Sequence, residues 1–205
     1  TKIDKEYGFT KIVQILDQNS FRQFIPIRSW NELWMAYLDE PIKYRYLFEV
    51  IQSDQPCKPY LDIEWNHDEY TIDGIEVTKI KKNKKINYNS FITKLKEDII
   101  TIFIDRYKIK IDKTDILILS SHSDDKASFH VIINKEFDDK SILVFKTNKK
   151  GYQDSAWDLW MALIEKNEKY YKFRLDERVY STDREFRAIY SNKNDKFRPV
   201  VPYGT

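Results

Sequence analysis

Lys58-Pro-Tyr-Leu-Asp-Ile-Glu-Trp65 is the stretch on which the reading of this chain turns. As a β-strand, its alternation sends Asp62 and Glu64 to one face and Leu61 and Ile63 to the other, where a core would lie. Two carboxylates side by side repel each other unless a cation or a shared proton lies between them. A divalent metal, an arginine or a lysine would serve. Hard cations such as Mg²⁺ and Mn²⁺ prefer carboxylate oxygens, and two-metal sites hold such ions roughly 4 Å apart. The same octapeptide is also compatible with a strand leaving the core and two solvated acids. The choice falls to the residues outward from it.

Upstream, Tyr44-Arg-Tyr-Leu-Phe-Glu-Val-Ile51 reads as a strand of aromatic and branched residues. The turn Ser53-Asp-Gln-Pro56 joins it to the opening stretch, so the two are expected to be neighbouring strands. Before them, Ser29-Trp-Asn-Glu32 forms a capping box, and Trp30, Leu33, Trp34, Tyr37 and Leu38 recur at helical spacing up to Pro41. Ile12 to Leu16 suits either a strand or a short helix, and Phe21 to Phe24 reads as a loop or turn.

Downstream, residues 66–88 are polar, with a turn at Gly74 and a basic run of Lys79, Lys81, Lys82, Lys84 and Lys85. That run is either a solvated loop or a flexible contact for a phosphate backbone. A helix follows, with Ile92, Leu95, Ile99, Phe103 and Tyr107 on one face and Ile100 and Ile104 widening it. Asp115 to Ser120 and Lys126 to Ile133 read as a hairpin, with Ser121-His-Ser-Asp-Asp125 at its turn. In its second strand Ser128, His130 and Ile132 share a face. With Lys126 they offer a hydroxyl, an imidazole and an ammonium to an anion. Residues 138–150 are expected to hold a short helix and a basic turn. Asp154 or Ser155 then caps a helix whose stripe is Trp157, Trp160, Met161 and Ile164. Near the end, Phe173 and Leu175 alternate inward before Asp176, Val179, Tyr180 and Phe186 look like anchors, and Arg184, Arg187 and Lys193 gather positive charge.

The composition bounds these readings. The chain has 205 residues, 41 % of them hydrophobic and 15 % aromatic, which suffices for a packed core in one large domain or two small lobes. Charged residues reach 33 % but the net charge is only +2, so any polyanion-binding surface must be local. The single cysteine, Cys57, excludes an internal disulfide framework and a cysteine-rich zinc site and fits a reducing compartment. No apolar run approaches transmembrane length, so no membrane partner is expected. The chain opens on Thr1 and stops soon after Val200-Val-Pro-Tyr-Gly, which suggests a domain excised from a longer protein.

Asp62-Ile-Glu64, Ser128-Phe-His130 and Asp176-Glu-Arg-Val-Tyr-Ser-Thr-Asp-Arg184-Glu-Phe-Arg187, followed by Lys193, come in that order. Together they resemble the archaeo-eukaryotic primase superfamily, most closely its primase–polymerase branch. That family carries an Asp-x-Glu or Asp-x-Asp motif ending a strand, a Ser-x-His strand motif, and a third acid opening a signature of the same form. Phe48-Glu-Val-Ile51 and Lys126 fit the pattern too, so the resemblance covers about residues 44–193. The zinc module and helicase domain of several relatives are missing from this stretch, and the first third of the chain matches poorly. The spacing between the second and third motifs is short, which suggests a minimal catalytic core.

The resemblance implies an α/β (α+β) fold: an RNA-recognition-like antiparallel catalytic sheet with a smaller N-terminal α/β module. Residues 1–205 would then be a single catalytic domain, with the module roughly within 1–57 and the site built from 58–66, 115–133 and 173–193. It implies that Asp62, Glu64 and Asp176 are catalytic and hold two Mg²⁺ or Mn²⁺ ions. Lys126, Ser128, His130, Arg184, Arg187 and Lys193 would bind the triphosphate. The implied partners are a single-stranded DNA template, a primer and (d)NTPs, with a helicase or zinc-binding domain elsewhere in a parent protein. Arg184 and Arg187 point opposite ways on a straight strand, so their convergence requires a turn over Asp183 to Glu185. A metal-dependent nuclease using the same acids is the alternative, though it needs no triphosphate pocket. A non-catalytic nucleic-acid-binding module is a second.

Overall fold

A computed structural model describes residues 2–3, 11–16, 22–27, 29–53, 55–66, 71–72, 75–76, 88–123, 126–168, 170, 174–175, 177–193 and 197–204. Its strands are Lys2–Ile3 (β1), Lys11–Leu16 (β2), Arg22–Ile27 (β3), Leu47–Ile51 (β4), Tyr60–Asn66 (β5), Thr71–Ile72 (β6) and Ile75–Glu76 (β7). Then come Ile116–Ser120 (β8), Lys126–Ile133 (β9), Ile142–Leu143 (β10), Arg174–Leu175 (β11), Arg184–Arg187 (β12) and Val201–Pro202 (β13). Among the described residues, α-helices cover Trp30–Asp39 (α1), Asn89–Asp105 (α2) and Ala156–Lys166 (α3). The chain is thus of mixed α/β class with antiparallel sheets.

One sheet runs β11-β5-β9-β8-β13, five strands with every pair antiparallel. Its inner face is apolar without a break. Leu61, Ile63, Trp65, Ala127, Phe129, Val131 and Ile133 are each at most 2 % exposed. Leu95, Ile99 and Phe103 of α2 and Leu159 and Leu163 of α3 join them in one core. Aromatic edges lock it: Phe129 lies 5.5 Å from Trp65 and 5.3 Å from Tyr88 between ring centroids. Ser155 is the residue that caps α3, its hydroxyl accepting the Asp158 N–H at 3.1 Å. At the far end Arg106 and Tyr107 both reach Asp158 and tie α2 to α3.

The second sheet runs β12-β4-β2-β3. Helix α1 packs on it through Tyr37, Leu33 and Trp34, against Leu47, Ile15 and Tyr190. Its outer strand β12 returns from the late part of the chain, so residues far apart in sequence complete the sheet. The Tyr37 hydroxyl meets Ser191 Oγ at 2.5 Å and donates to the Ile189 carbonyl at 3.0 Å.

Several expectations are corrected. β4 and β5 are not neighbours: β4 pairs with β2 and β12, and β5 with β9 and β11. Both edges of each strand are occupied, and the connection between the sheets is held by the Cys57–Phe145 bridge and by Thr147 Oγ1 donating to the Ser53 carbonyl. Residues 22–24 belong to strand β3 rather than a loop; Pro26 is tolerated there because β3 is an edge. No helix forms over 138–150. The Asp139 carboxylate accepts the Ser141 N–H at 3.0 Å, a local turn that competes with helix, and β10 follows. Ile104 is 48 % exposed and lies off the helix face, while Phe91 and Ile102 are buried on it. The side chains of Glu32, Trp30 and Leu175, together with Phe173, Gly74 and Lys79 to Lys85, lie outside the described residues.

Truncating Phe129→Ala, a fully buried ring, is expected to cost about 3–5 kcal/mol of stability. Ile104→Ala is expected to stay within about 0.5 kcal/mol. Urea unfolding of the two variants checks both.

Candidate functional site

The outer face of the five-stranded sheet is polar where the inner face is apolar. β5 pairs with β9 so that Asp62 stands opposite His130 and Glu64 opposite Ser128. Two motifs more than sixty residues apart in sequence therefore form one patch, since opposed residues in an antiparallel pair share a face. Asn66 stands opposite Lys126, whose ammonium is bound to Glu64 Oε2. Ser128 Oγ donates to Glu64 Oε1 at 3.4 Å. A lysine and a hydroxyl thus offset the charge of one acid. The Asp62 and Glu64 side chains are 14 % and 19 % exposed, although Asp62 Oδ1 is itself buried, whereas His130 is 6 % exposed.

His130 Nε2 lies 4.0 Å from Asp62 Oδ1, too long for a hydrogen bond. Among the described residues its Nδ1 has no partner. Phe186 stacks on it at 4.2 Å between ring centroids and packs on Tyr60 at 5.1 Å. Val179, Tyr180 and Phe186 are buried, as their place in the late signature predicts. Tyr60 hydroxyl donates to the Val179 carbonyl at 2.6 Å, which fastens that segment on the face of β5 that carries Asp62 and Glu64. Burial, reinforced by the positive charges of Arg187 and Arg198, pushes the His130 pKa down to about 3.

Arg187 is buried, its Nη1 donating to Ser121 Oγ and to the Arg198 carbonyl, each at 3.0 Å. Burial and the charge of Arg198 lower its pKa to about 10, against the pull of Asp62 and Glu64, so it stays cationic at neutral pH. Lys193 is lowered first by desolvation, with Glu64 acting to raise it and Arg198, Lys126 and Arg187 to lower it. Arg184 behaves differently. The expected turn over Asp183 to Glu185 does not form: the turn lies at Ser181–Asp183, with Asp183 at φ 51°, and β12 begins at Arg184. Pairing of all four β12 residues with β4 keeps it straight, so Arg184 shares the face of Phe186 and Arg187 takes the other.

Asp176 lies outside the described residues. The backbone just before it pairs with the acidic strand, Arg174 opposite Glu64 and Leu175 opposite Ile63. Among the described residues no group of three histidine, cysteine, aspartate or glutamate side chains is arranged to hold a metal. Asp62 and Glu64 are two hard oxygen donors of the kind Mg²⁺ or Mn²⁺ takes.

Sequence reasoning missed three contributors. Arg198 adds a fourth cation to Lys126, Arg187 and Lys193; it lies beyond the signature, and no local pattern marks it. Ser121 binds both the Arg187 side chain and the Arg198 carbonyl. His122 Nδ1 accepts the Ser128 N–H at 3.1 Å, where β8 has already ended and provides no carbonyl. A histidine directly after a strand was the available hint.

No protein-family model matches the chain. It is similar to a protein of Acanthamoeba polyphaga mimivirus whose name is "Uncharacterized putative helicase", 28 % identical over 162 residues. The match covers 73 % of this chain and 14 % of that protein's length.

His130 is expected to show no titration of its imidazole signals between about pH 8 and 4 in NMR spectra. Its folded pKa lies below the ordinary 6.5, so the unfolded chain takes up a proton that the native state refuses. The resulting stability is complete above about pH 6.5 and is lost toward pH 3 by about 1.4 kcal/mol per pH unit. Urea unfolding at pH 7 and 5 should show a larger loss for wild type than for His130→Gln.

Proposed function

We propose that the chain is the catalytic domain of a DNA-dependent primase–polymerase, residues 1–205 forming one unit. It would transfer nucleotides from (d)NTPs to a primer 3′-hydroxyl, or to a first nucleotide, on a single-stranded DNA template. The observation that carries this reading is the register of β5 on β9. It sets the Asp-x-Glu acids against the Ser-x-His pair, beneath Phe186 and beside the Arg187 cluster. An antiparallel sheet carrying acids next to concentrated cations suits a substrate that is an anion and a reaction that needs metal-bound oxygens. The helicase name of the mimivirus protein fits a nucleic-acid setting and a larger parent chain that joins unwinding to synthesis.

Asp62 and Glu64, with Asp176 as the third carboxylate, would hold two Mg²⁺ or Mn²⁺ ions, which when bound would supply Lewis acidity at the attacking hydroxyl and the leaving pyrophosphate. The chain's own groups bind and orient. Lys193 and the Arg187 guanidinium would neutralise triphosphate oxygens, Arg187 from a buried, fixed position. Ser128 would donate its hydroxyl. Being neutral, His130 would donate one N–H rather than contribute a charge. Lys126, now on Glu64, is close enough to the acids to exchange that carboxylate for a phosphate. Arg184 would approach from the Phe186 side of β12, so the two arginines would hold different parts of the substrate. Lys79 to Lys85 would contact the template backbone.

Primer extension on a single-stranded template, with labelled dNTPs or NTPs and Mn²⁺ or Mg²⁺, tests this reading. Template-dependent addition is expected, falling to background in Asp62→Ala. Degradation of the template without addition would instead establish a nuclease. His130→Ala is expected to raise the KM for nucleotide by about 10-fold, the loss of one hydrogen bond to a charged group, while its unfolding midpoint identifies any damage to the fold.

A further inference from the structure

Arg198 is held in an unusual way. Its backbone is fixed on three counts: its carbonyl accepts from Ser121 Oγ and from Arg187 Nη1, each at 3.0 Å, and its N–H donates to Asn192 Oδ1 at 2.9 Å. Pro199 follows and biases it toward an extended conformation. The side chain is much less committed. Nη1 has a single long contact, 3.5 Å to Ser123 Oγ at the β8–β9 turn, and the buried Nε has no partner among the described residues. A buried guanidinium donor left unpaired is costly unless a ligand completes it.

The surrounding charge points to the sign of that ligand. Arg198, Lys126 and Arg187 act on Lys193 as like charges, and Arg198 on Arg187, while Asp62 and Glu64 are the described acids that act against them. Among the described residues four cations stand against two carboxylates, and Asp176 as a third would still leave positive charge in excess in a partly desolvated place, which favours a multivalent anion. Arg198 also acts electrostatically on His130, so it belongs to the same cluster.

We propose that Arg198 is a further binding residue of this site, its guanidinium taking an oxygen of a polyphosphate alongside Arg187 and Lys193. This rests on the nucleotide-binding reading above, and the polyphosphate is the triphosphate of the incoming nucleotide rather than the backbone of the template. Arg187 and Arg198 are then linked: the carbonyl of one receives the guanidinium of the other, so binding at either steadies both.

Calorimetric titration of the 205-residue chain with inorganic tripolyphosphate and with dNTP, with no primer present, tests the assignment. Arg198→Gln is expected to weaken both by about 10-fold or more, and Arg198→Lys, which keeps the charge but loses Nε, by several-fold. Affinity for single-stranded DNA should change less than about 3-fold in either variant. Unchanged tripolyphosphate and dNTP affinity in a folded Arg198→Gln, with Lys193→Gln weakened, would overturn the role of Arg198 and leave the nucleotide site standing. A loss confined to DNA affinity would also overturn it, assigning the arginine to the template. If wild type binds neither tripolyphosphate nor dNTP, the nucleotide reading itself fails, and Arg198 with it. Should Arg198→Gln not fold, as judged by circular dichroism, Arg198→Lys decides: affinity equal to wild type refutes a contact through Nε.

Discussion

β5 pairs with β9 over seven residues, and that one register sets both faces of the central sheet. On one side it stacks Leu61, Ile63 and Trp65 with Ala127, Phe129, Val131 and Ile133 into a water-free layer. On the other it brings Asp62 to His130 and Glu64 to Ser128. A slip of β5 by one residue would turn its side chains over, driving two acids into the core. The burial of the apolar face therefore defends the geometry of the polar one. The site inherits its register from hydrophobic packing, not from attraction among its own charged groups.

Those charged groups would not assemble by themselves. Burial first, and the neighbouring like charges after it, lower the proton affinity of Arg187, Lys193 and His130, so gathering these groups there carries a cost. Two features offset the cost. Asp62 and Glu64 sit within the field of these cations, and Lys126 is bound directly to Glu64. The backbone also holds the basic segment in place: Asn192 Nδ2 donates to the Ile42 carbonyl at 2.5 Å, and the Asn192 N–H to the Arg45 carbonyl at 2.8 Å. Ser191 Oγ accepts the Leu47 N–H at 3.0 Å. Ser191 and Asn192 are fully buried, and Lys193 follows them directly. The second sheet and helix α1 thus serve as an anchor for the late basic residues, and β12 is the strand that joins the two sheets' business.

Alternation along a strand and the 3.6-residue turn of a helix are local properties. Reading them was enough to separate Asp62 and Glu64 from Leu61 and Ile63, to pair Ser128 with His130, and to recognise the β8–β9 hairpin, most of the buried face of α2 and, on α3, Trp157 and Trp160 but not the fully buried Leu159 and Leu163. The sequence by itself also determined that Val179, Tyr180 and Phe186 are anchors, because three large apolar side chains in a polar stretch have little else to do. Which strand lies beside which is not local. The tertiary structure alone decided that β4 and β5 part into different sheets and that β12 runs straight, sending Arg184 and Arg187 to opposite faces. It alone placed Asp62 opposite His130 and brought Arg198, unmarked by any motif, to the Arg187 guanidinium. The physical reason is the same in each case: neighbours are chosen by which edges and faces remain unpaired once the whole core has closed, and that information is spread over the entire chain.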